Sequence, residues 1–135
     1  MTGGTLYNGG TTDKGGAIKL SGSAAANLTN VLISDCWTDK ATFHQNEGGA
    51  IYMKDKATAA LKDCVIRYCR AYDYGGGVYL EDDENRLNCE NVDIVSCIAD
   101  DNRGGGVYQD HGETHWVGGK IDSCRANEDH GGGFC

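Results

Sequence analysis

The sequence predicts an all-β chain wound as a parallel β-helix of about four to five coils, each about 28 residues long. Three observations carry that expectation. A glycine-rich motif occurs five times, a second motif recurs in step with it, and none of the 135 residues is proline.

The first motif reads Gly15-Gly16-Ala17-Ile18-Lys19-Leu20, Gly48-Gly49-Ala50-Ile51-Tyr52-Met53, Gly75-Gly76-Gly77-Val78-Tyr79-Leu80, Gly104-Gly105-Gly106-Val107-Tyr108-Gln109 and Gly131-Gly132-Gly133-Phe134-Cys135. Its apolar residue advances from 18 to 51, 78, 107 and 134, in steps of 33, 27, 29 and 27. Residues two apart, such as Ile18 and Leu20 or Val78 and Leu80, are apolar, which is the period of a strand with one buried face. The glycines before each strand suit a sharp corner that needs positive φ or close backbone approach. Coils therefore begin near residues 15, 48, 75, 104 and 131, and residues 1–135 form a single domain.

The second motif supplies another strand per coil: Asn30-Val31-Leu32-Ile33-Ser34-Asp35-Cys36, Asp63-Cys64-Val65-Ile66-Arg67-Tyr68-Cys69, Asn91-Val92-Asp93-Ile94-Val95-Ser96-Cys97 and Gly118-Gly119-Lys120-Ile121-Asp122-Ser123-Cys124. Its isoleucines advance by 33, 28 and 27, matching the first motif. A unit this short cannot bury its apolar face alone, whereas stacked copies give every strand a partner about 4.8 Å above and below. The absence of proline follows, because each interior rung donates its N–H groups to a neighbour.

Phe43-His44-Gln45-Asn46 followed by Gly48-Gly49-Ala50-Ile51 resembles the paired FxxN and GGAI signatures of polymorphic outer membrane protein repeats. The wider pattern is similar to right-handed parallel β-helix surface proteins. The resemblance implies a right-handed coil and an exported surface or adhesion module. The sequence departs from those repeats where Cys69-Arg70-Ala71, Cys97-Ile98-Ala99 and Cys124-Arg125-Ala126 replace an Asn-x-Ala turn.

A net charge of −8, from 20 acidic against 12 basic residues, argues against nucleic acid as a partner. No run of twenty apolar residues occurs, so no membrane insertion is expected, and Met1-Thr2-Gly3-Gly4 shows no signal-peptide pattern. No amphipathic helix marks a cap at either end.

In a stacked coil, chemistry is sought down columns of equivalent residues. Cys36, Cys69, Cys97 and Cys124 form one column, at a spacing that suits either disulfides between adjacent coils or a ladder of reduced thiols. A straight column does not converge on zinc. Cys64 and Cys89 fall in apolar columns and read as core. Cys135 falls in the Lys19/Tyr52/Tyr79/Tyr108 column and is a candidate for an intermolecular disulfide. Tyr52, Tyr79 and Tyr108 are expected to form an outward aromatic face, fit for sheet stacking or for a glycan, a receptor or a covering loop. Acidic residues before the glycine corners, among them Asp73, Asp101 and Asp129, are weak calcium candidates, with solvated turns as the alternative; no other cofactor is expected. Glu81-Asp82-Asp83-Glu84 reads as a solubilising patch. Asn30, Asp63, Asn91 and Gly118 suggest a polar ladder at a bend, and Asn27-Leu28-Thr29 is a glycosylation sequon at Asn27.

Polysaccharide-cleaving β-helices make an enzyme the alternative to weigh. Asp100 and Asp101, with His111 or His130, are its best catalytic candidates. Asp110-His111-Gly112 and Asp129-His130-Gly131 match the Gly-His-Gly element of pectin-cleaving families only faintly, and their Arg-Ile-Lys element is missing. The favoured expectation is non-enzymatic: an extracellular or cell-surface structural module that stacks head to tail into a filament or forms part of a stalk. An adhesin that binds a glycan or receptor through its aromatic face is the alternative.

Overall fold

The computed structural model describes residues 1–40 and 46–135, so Phe43, His44 and Gln45 of the FxxN-like segment lie outside the described residues. In chain order the strands are β1 (Thr5–Tyr7), β2 (Gly10–Thr11), β3 (Ile18–Leu20), β4 (Ala25–Thr29), β5 (Leu32–Ser34), β6 (Trp37–Thr38), β7 (Ile51–Met53) and β8 (Thr58–Lys62). They continue with β9 (Val65–Arg67), β10 (Arg70–Ala71), β11 (Val78–Leu80), β12 (Arg86–Val95), β13 (Ile98–Ala99), β14 (Val107–Gln109), β15 (Glu113–Asp122) and β16 (Arg125–Ala126). Every pairing between them is parallel, and together they make a solenoid of about four turns.

Three sheets run the length of the coil. One is ordered β14-β11-β7-β3, a second β16-β13-β10-β6-β2, and the third β1-β5-β9-β12-β8-β4 with β15 on β12. The apolar period fixes the register. Ile18, Ile51, Val78 and Val107 pair in succession, and an isolated bridge adds Phe134. Leu6, Ile33, Ile66, Ile94 and Ile121 do the same in the third sheet. These columns are the core, with Ile33, Ile51, Ile66, Val78 and Ile94 all buried. Cys64 joins it beside Val31 and Val92, and Cys89 beside Leu28 and Leu61.

The bends are built from residues that tolerate the left-handed region. Asn30, Asp63 and Asn91 have φ of 54°, 51° and 53°, and Gly118 has 69°. Asparagine and aspartate visit this region because their short side chains bond locally. Here they also bond between coils, with Asn91 Nδ2 donating to Asp63 Oδ1 at 2.7 Å. Asn91→Ala is expected to cost about 1–2 kcal/mol through the left-handed penalty, and Asn91→Gly well under 1. Chemical denaturation of the two variants checks this; equal losses would assign the effect to the hydrogen bond alone.

The glycine corner has a second demand beyond φ. Gly75 supplies φ of 64°, while its neighbour Gly76 carries its α-carbon against the next coil. A methyl group on Gly76 would stand 2.4 Å from the Gly105 oxygen and 2.4 Å from the Ile98 carbonyl. Only hydrogen fits there.

Candidate functional site

The first-sheet tyrosines stack along the coil axis. Tyr52 and Tyr79 have ring centroids 5.7 Å apart, and Tyr79 and Tyr108 lie 5.4 Å apart at an interplanar angle of 3°. The column is not the open aromatic face that alternation suggests. Tyr74 packs 6.1 Å from Tyr79 and 4.7 Å from Tyr108, and the Lys14 ammonium sits 4.7 Å from the Tyr52 centroid. Tyr52 and Tyr79 are consequently buried and Tyr108 is half-buried. Alternation along the strand predicts an open face, but Lys14 and Tyr74, which lie in turns outside the strand motif, cover it.

Beneath that cover lies an ionic cluster. Lys14 Nζ is 2.5 Å from Glu47 and 3.1 Å from Glu81, and the Tyr52 hydroxyl donates to Glu81. Burial pushes the Glu47 carboxyl above its ordinary range, partly offset by Lys14. Burial also opposes the charged forms of Lys14 and Glu81. The two carboxylates nevertheless hold Lys14 above its usual value, and hydrogen bonds from Tyr52 and Lys14 draw Glu81 below its own.

All seven cysteines are free thiols. Cys36, Cys69, Cys97 and Cys124 form an interior ladder, the reduced form of the column expected from the repeat. Each thiol lies near the carbonyl two residues before it, as with Cys69 Sγ and Arg67 O at 3.3 Å. A hydrogen bond to Cys69, then burial, holds Cys36 protonated; hydrogen bonds to Cys124 and Cys69 do the same for Cys97. Cys124 accepts from Cys97 and is drawn down to about 7 at the less buried end. Burial lifts Cys89 to about 12. A thiol-specific reagent should therefore label Cys124 and half-buried Cys135 first, and reach the five buried cysteines only on unfolding. Mass-spectrometric mapping of a short labelling pulse checks the order.

Two of the acidic turn residues have protein partners. Asp73 is buried, accepts from the Asn46 N–H at 3.1 Å and from Asn102 Nδ2 at 3.1 Å. Asp129 pairs with Arg103 at 2.7 Å and contacts His130, while Asp101 is exposed. Among the described residues no group of three His, Cys, Asp or Glu side chains converges to hold a metal ion. Asp100 accepts from Arg70 and from Asn127 Nδ2, and His111 contacts Asp110. Asn27 is exposed.

The second sheet carries a feature that the sequence reading missed. A groove of about 830 Å³ runs over β6 and β10 and is lined by Trp37, Tyr68, Tyr72, Arg70 and several carboxylates. The Trp37 indole packs against Gly10 on the neighbouring rung, where a methyl group would stand 2.4 Å from it. Tyr68 projects with 56% of its surface exposed from a residue with φ of 54°. Its column otherwise holds Asn8, Asp35, Ser96 and Ser123. An aromatic residue among these polar ones was the available signal.

A sequence profile described as right handed beta helix region matches residues 1–135, the whole chain. The chain belongs to the right-handed β-helix family. No curated protein and no solved structure matches it. The right-handed β-helix explains why side-chain chemistry appears in columns: most polar pairs join adjacent coils, as Lys62 with Glu90 and Arg103 with Asp129 do. Such pairs brace the rungs, and one coil geometry serves many functions.

Proposed function

We propose that this β-helix is a structural module that works outside the cell and stacks head to tail, as a filament or as part of a surface stalk. The observation that supports it is the state of the last rung. Strands β15 and β16, and the Gly133–Cys135 segment that pairs onto β14, have a hydrogen-bonded neighbour on one side only. Phe134 continues the column of Ile51, Val78 and Val107, which are buried, yet is itself 46% exposed. An open ladder edge with apolar side chains is a template for another rung. A further coil or a second copy meets the same chemistry, and Cys135 on this rung is placed to lock a joint between copies. The cross-coil ion pairs fit a bracing role, and the carboxylate of Asp100, already held by Arg70 and Asn127, is assigned no catalytic step.

Sedimentation velocity and electron microscopy of the chain test this reading. Rods that lengthen with concentration are expected, and Phe134→Lys should leave single particles with an unchanged circular dichroism spectrum. Single particles of the unaltered chain at every concentration would overturn it.

A further inference from the structure

We infer that the interior cysteine ladder is a binding site for a soft monovalent cation of the copper(I) class, held in line between the sulfurs of Cys97 and Cys124. The inference rests on the repetition of cysteine down one column, the spacing of the sulfurs and the backbone N–H groups that face them. None of these takes part in the stacking proposed above.

Apolar filling alone tolerates variety. One interior column holds Leu28, Leu61 and Cys89, and another holds Val31, Cys64 and Val92. The ladder instead keeps cysteine in four successive coils. Its members directly precede Trp37, Arg70, Ile98 and Arg125, which pair in succession down the second sheet. Each of the four side chains offers sulfur, a soft ligand that selects soft cations.

The spacing sets how many ligands an ion can have. Cys36, Cys69, Cys97 and Cys124 hold their sulfurs alike, each 3.3–3.6 Å from the carbonyl two residues earlier. Consecutive sulfurs are therefore one rung apart, about 4.8 Å. A disulfide needs about 2.0 Å between sulfurs, so two rungs of a continuous ladder would have to be drawn together. Metal–thiolate bonds are about 2.3 Å long, and two laid in line span about 4.6 Å. An ion that takes two ligands in line thus bridges adjacent rungs with both strands in place. Zinc takes four ligands, and among the described residues no group of three His, Cys, Asp or Glu side chains converges to begin such a set.

The backbone suits the bound, anionic form of the sulfurs. Cys97 N–H donates to the Cys124 sulfur at 3.4 Å. The N–H groups of Gly9, Cys36 and Cys69 face the sulfurs of Cys36, Cys69 and Cys97 in the same way. Hydrogen bonds of this kind stabilise a thiolate. Binding breaks two S–H bonds, forms two sulfur–metal bonds and passes both protons to water, so the ion and its two thiolates together carry one negative charge. Cys124, half-buried on the last rung, gives the ion access, whereas Cys36 and Cys69 are enclosed.

The test uses copper(I) alone, supplied without oxygen as its acetonitrile complex, with bicinchoninate as competitor and zinc as the comparison ion. The folded chain should retain copper(I) against the competitor and should not retain zinc. X-ray absorption of the loaded chain should show two sulfur neighbours in line and no nitrogen or oxygen. A short pulse of thiol reagent should then spare Cys124 while still labelling Cys135. Cys97→Ala and Cys124→Ala should each weaken retention by about tenfold or more, with an unchanged circular dichroism spectrum, and Cys135→Ser should leave it unaltered. The absorption spectrum and the labelling pulse use the unaltered chain, so they decide even where a variant folds poorly. No retention against the competitor, three or more neighbours around copper, equal retention of zinc, or labelling of Cys124 at its original rate in the loaded chain would each overturn the inference.

Discussion

Gly76→Ala is expected to remove most of the stability of the fold, by about 4 kcal/mol or more, a range reached only by a few named mechanisms. The added methyl group would stand 2.4 Å from the oxygen of Gly105 and 2.4 Å from the carbonyl carbon and oxygen of Ile98. All three are backbone atoms of the next coil, so no rotamer change relieves the contact. The coil must open across two sheets, which breaks ladder bonds such as Gly76 N–H to Gly104 O at 3.1 Å and Ile98 N–H to Cys69 O at 2.9 Å. Gly22→Ala provides the comparison. Gly22 has φ of 64° but nothing within 4 Å of an added methyl group, so only the left-handed penalty of about 1 kcal/mol applies. Urea unfolding of the two variants separates them. Similar losses would mean that backbone conformation, and not close approach, dictates glycine at position 76.

Lys14→Met is the second large effect. Removing one partner of a buried ion pair leaves an uncompensated charge and costs about 3–5 kcal/mol when the site is fully enclosed. The Lys14 side chain is 20% exposed against 2% for Glu47, so solvent screening lowers the expectation to about 2–3 kcal/mol at pH 7.5. The pH dependence has a definite sign. Burial already raises Glu47 in the folded state, and loss of Lys14 removes the partner that offsets that rise. A carboxyl raised on folding contributes stability below its ordinary pKa and loses it as pH rises through the folded value. The deficit of Lys14→Met should therefore shrink as pH is lowered from 7.5 toward 4.5, where Glu47 becomes neutral. Glu47→Gln in the same background should restore most of the loss at pH 7.5. Denaturation curves at both pH values decide; a deficit independent of pH would show that lost packing of the lysine stem on Tyr52 dominates.

The register was readable from the residues because side chains in a strand alternate and the two motifs advance together. Ile18, Ile51, Val78 and Val107 had to share a column for any of them to be buried. The bends were readable at Asn30, Asp63 and Asn91, where residue type and left-handed conformation coincide. Burial of Tyr52 and Tyr79 was not readable. Alternation tells which way a side chain leaves the sheet, but Lys14, Glu81 and Tyr74 come back over the column from turns whose lengths vary between coils. The second-sheet groove was hidden for a related reason. Its strands are two residues long, too short to show a period. The right-handed sense and the surface setting came from resemblance; the whole-chain family match supports the first.

The pairing of each residue with its counterpart one coil away has a consequence for how such a protein changes length. Tyr79 lies between Tyr52 and Tyr108, and Val78 between Ile51 and Val107. Excising residues 75–103 would join Tyr74 to Gly104 and bring Tyr108 onto Tyr52 and Val107 onto Ile51, so the aromatic and aliphatic columns of the first sheet would close up by one layer, at the cost of the Glu81 contacts with Tyr52 and Lys14. Duplicating the same stretch would insert one more matching layer. Unlike a globular domain, whose core has a fixed volume, this chain can grow or shrink by whole layers while the contacts between adjacent strands keep their geometry. Recombination within the gene would then act as a length adjustment.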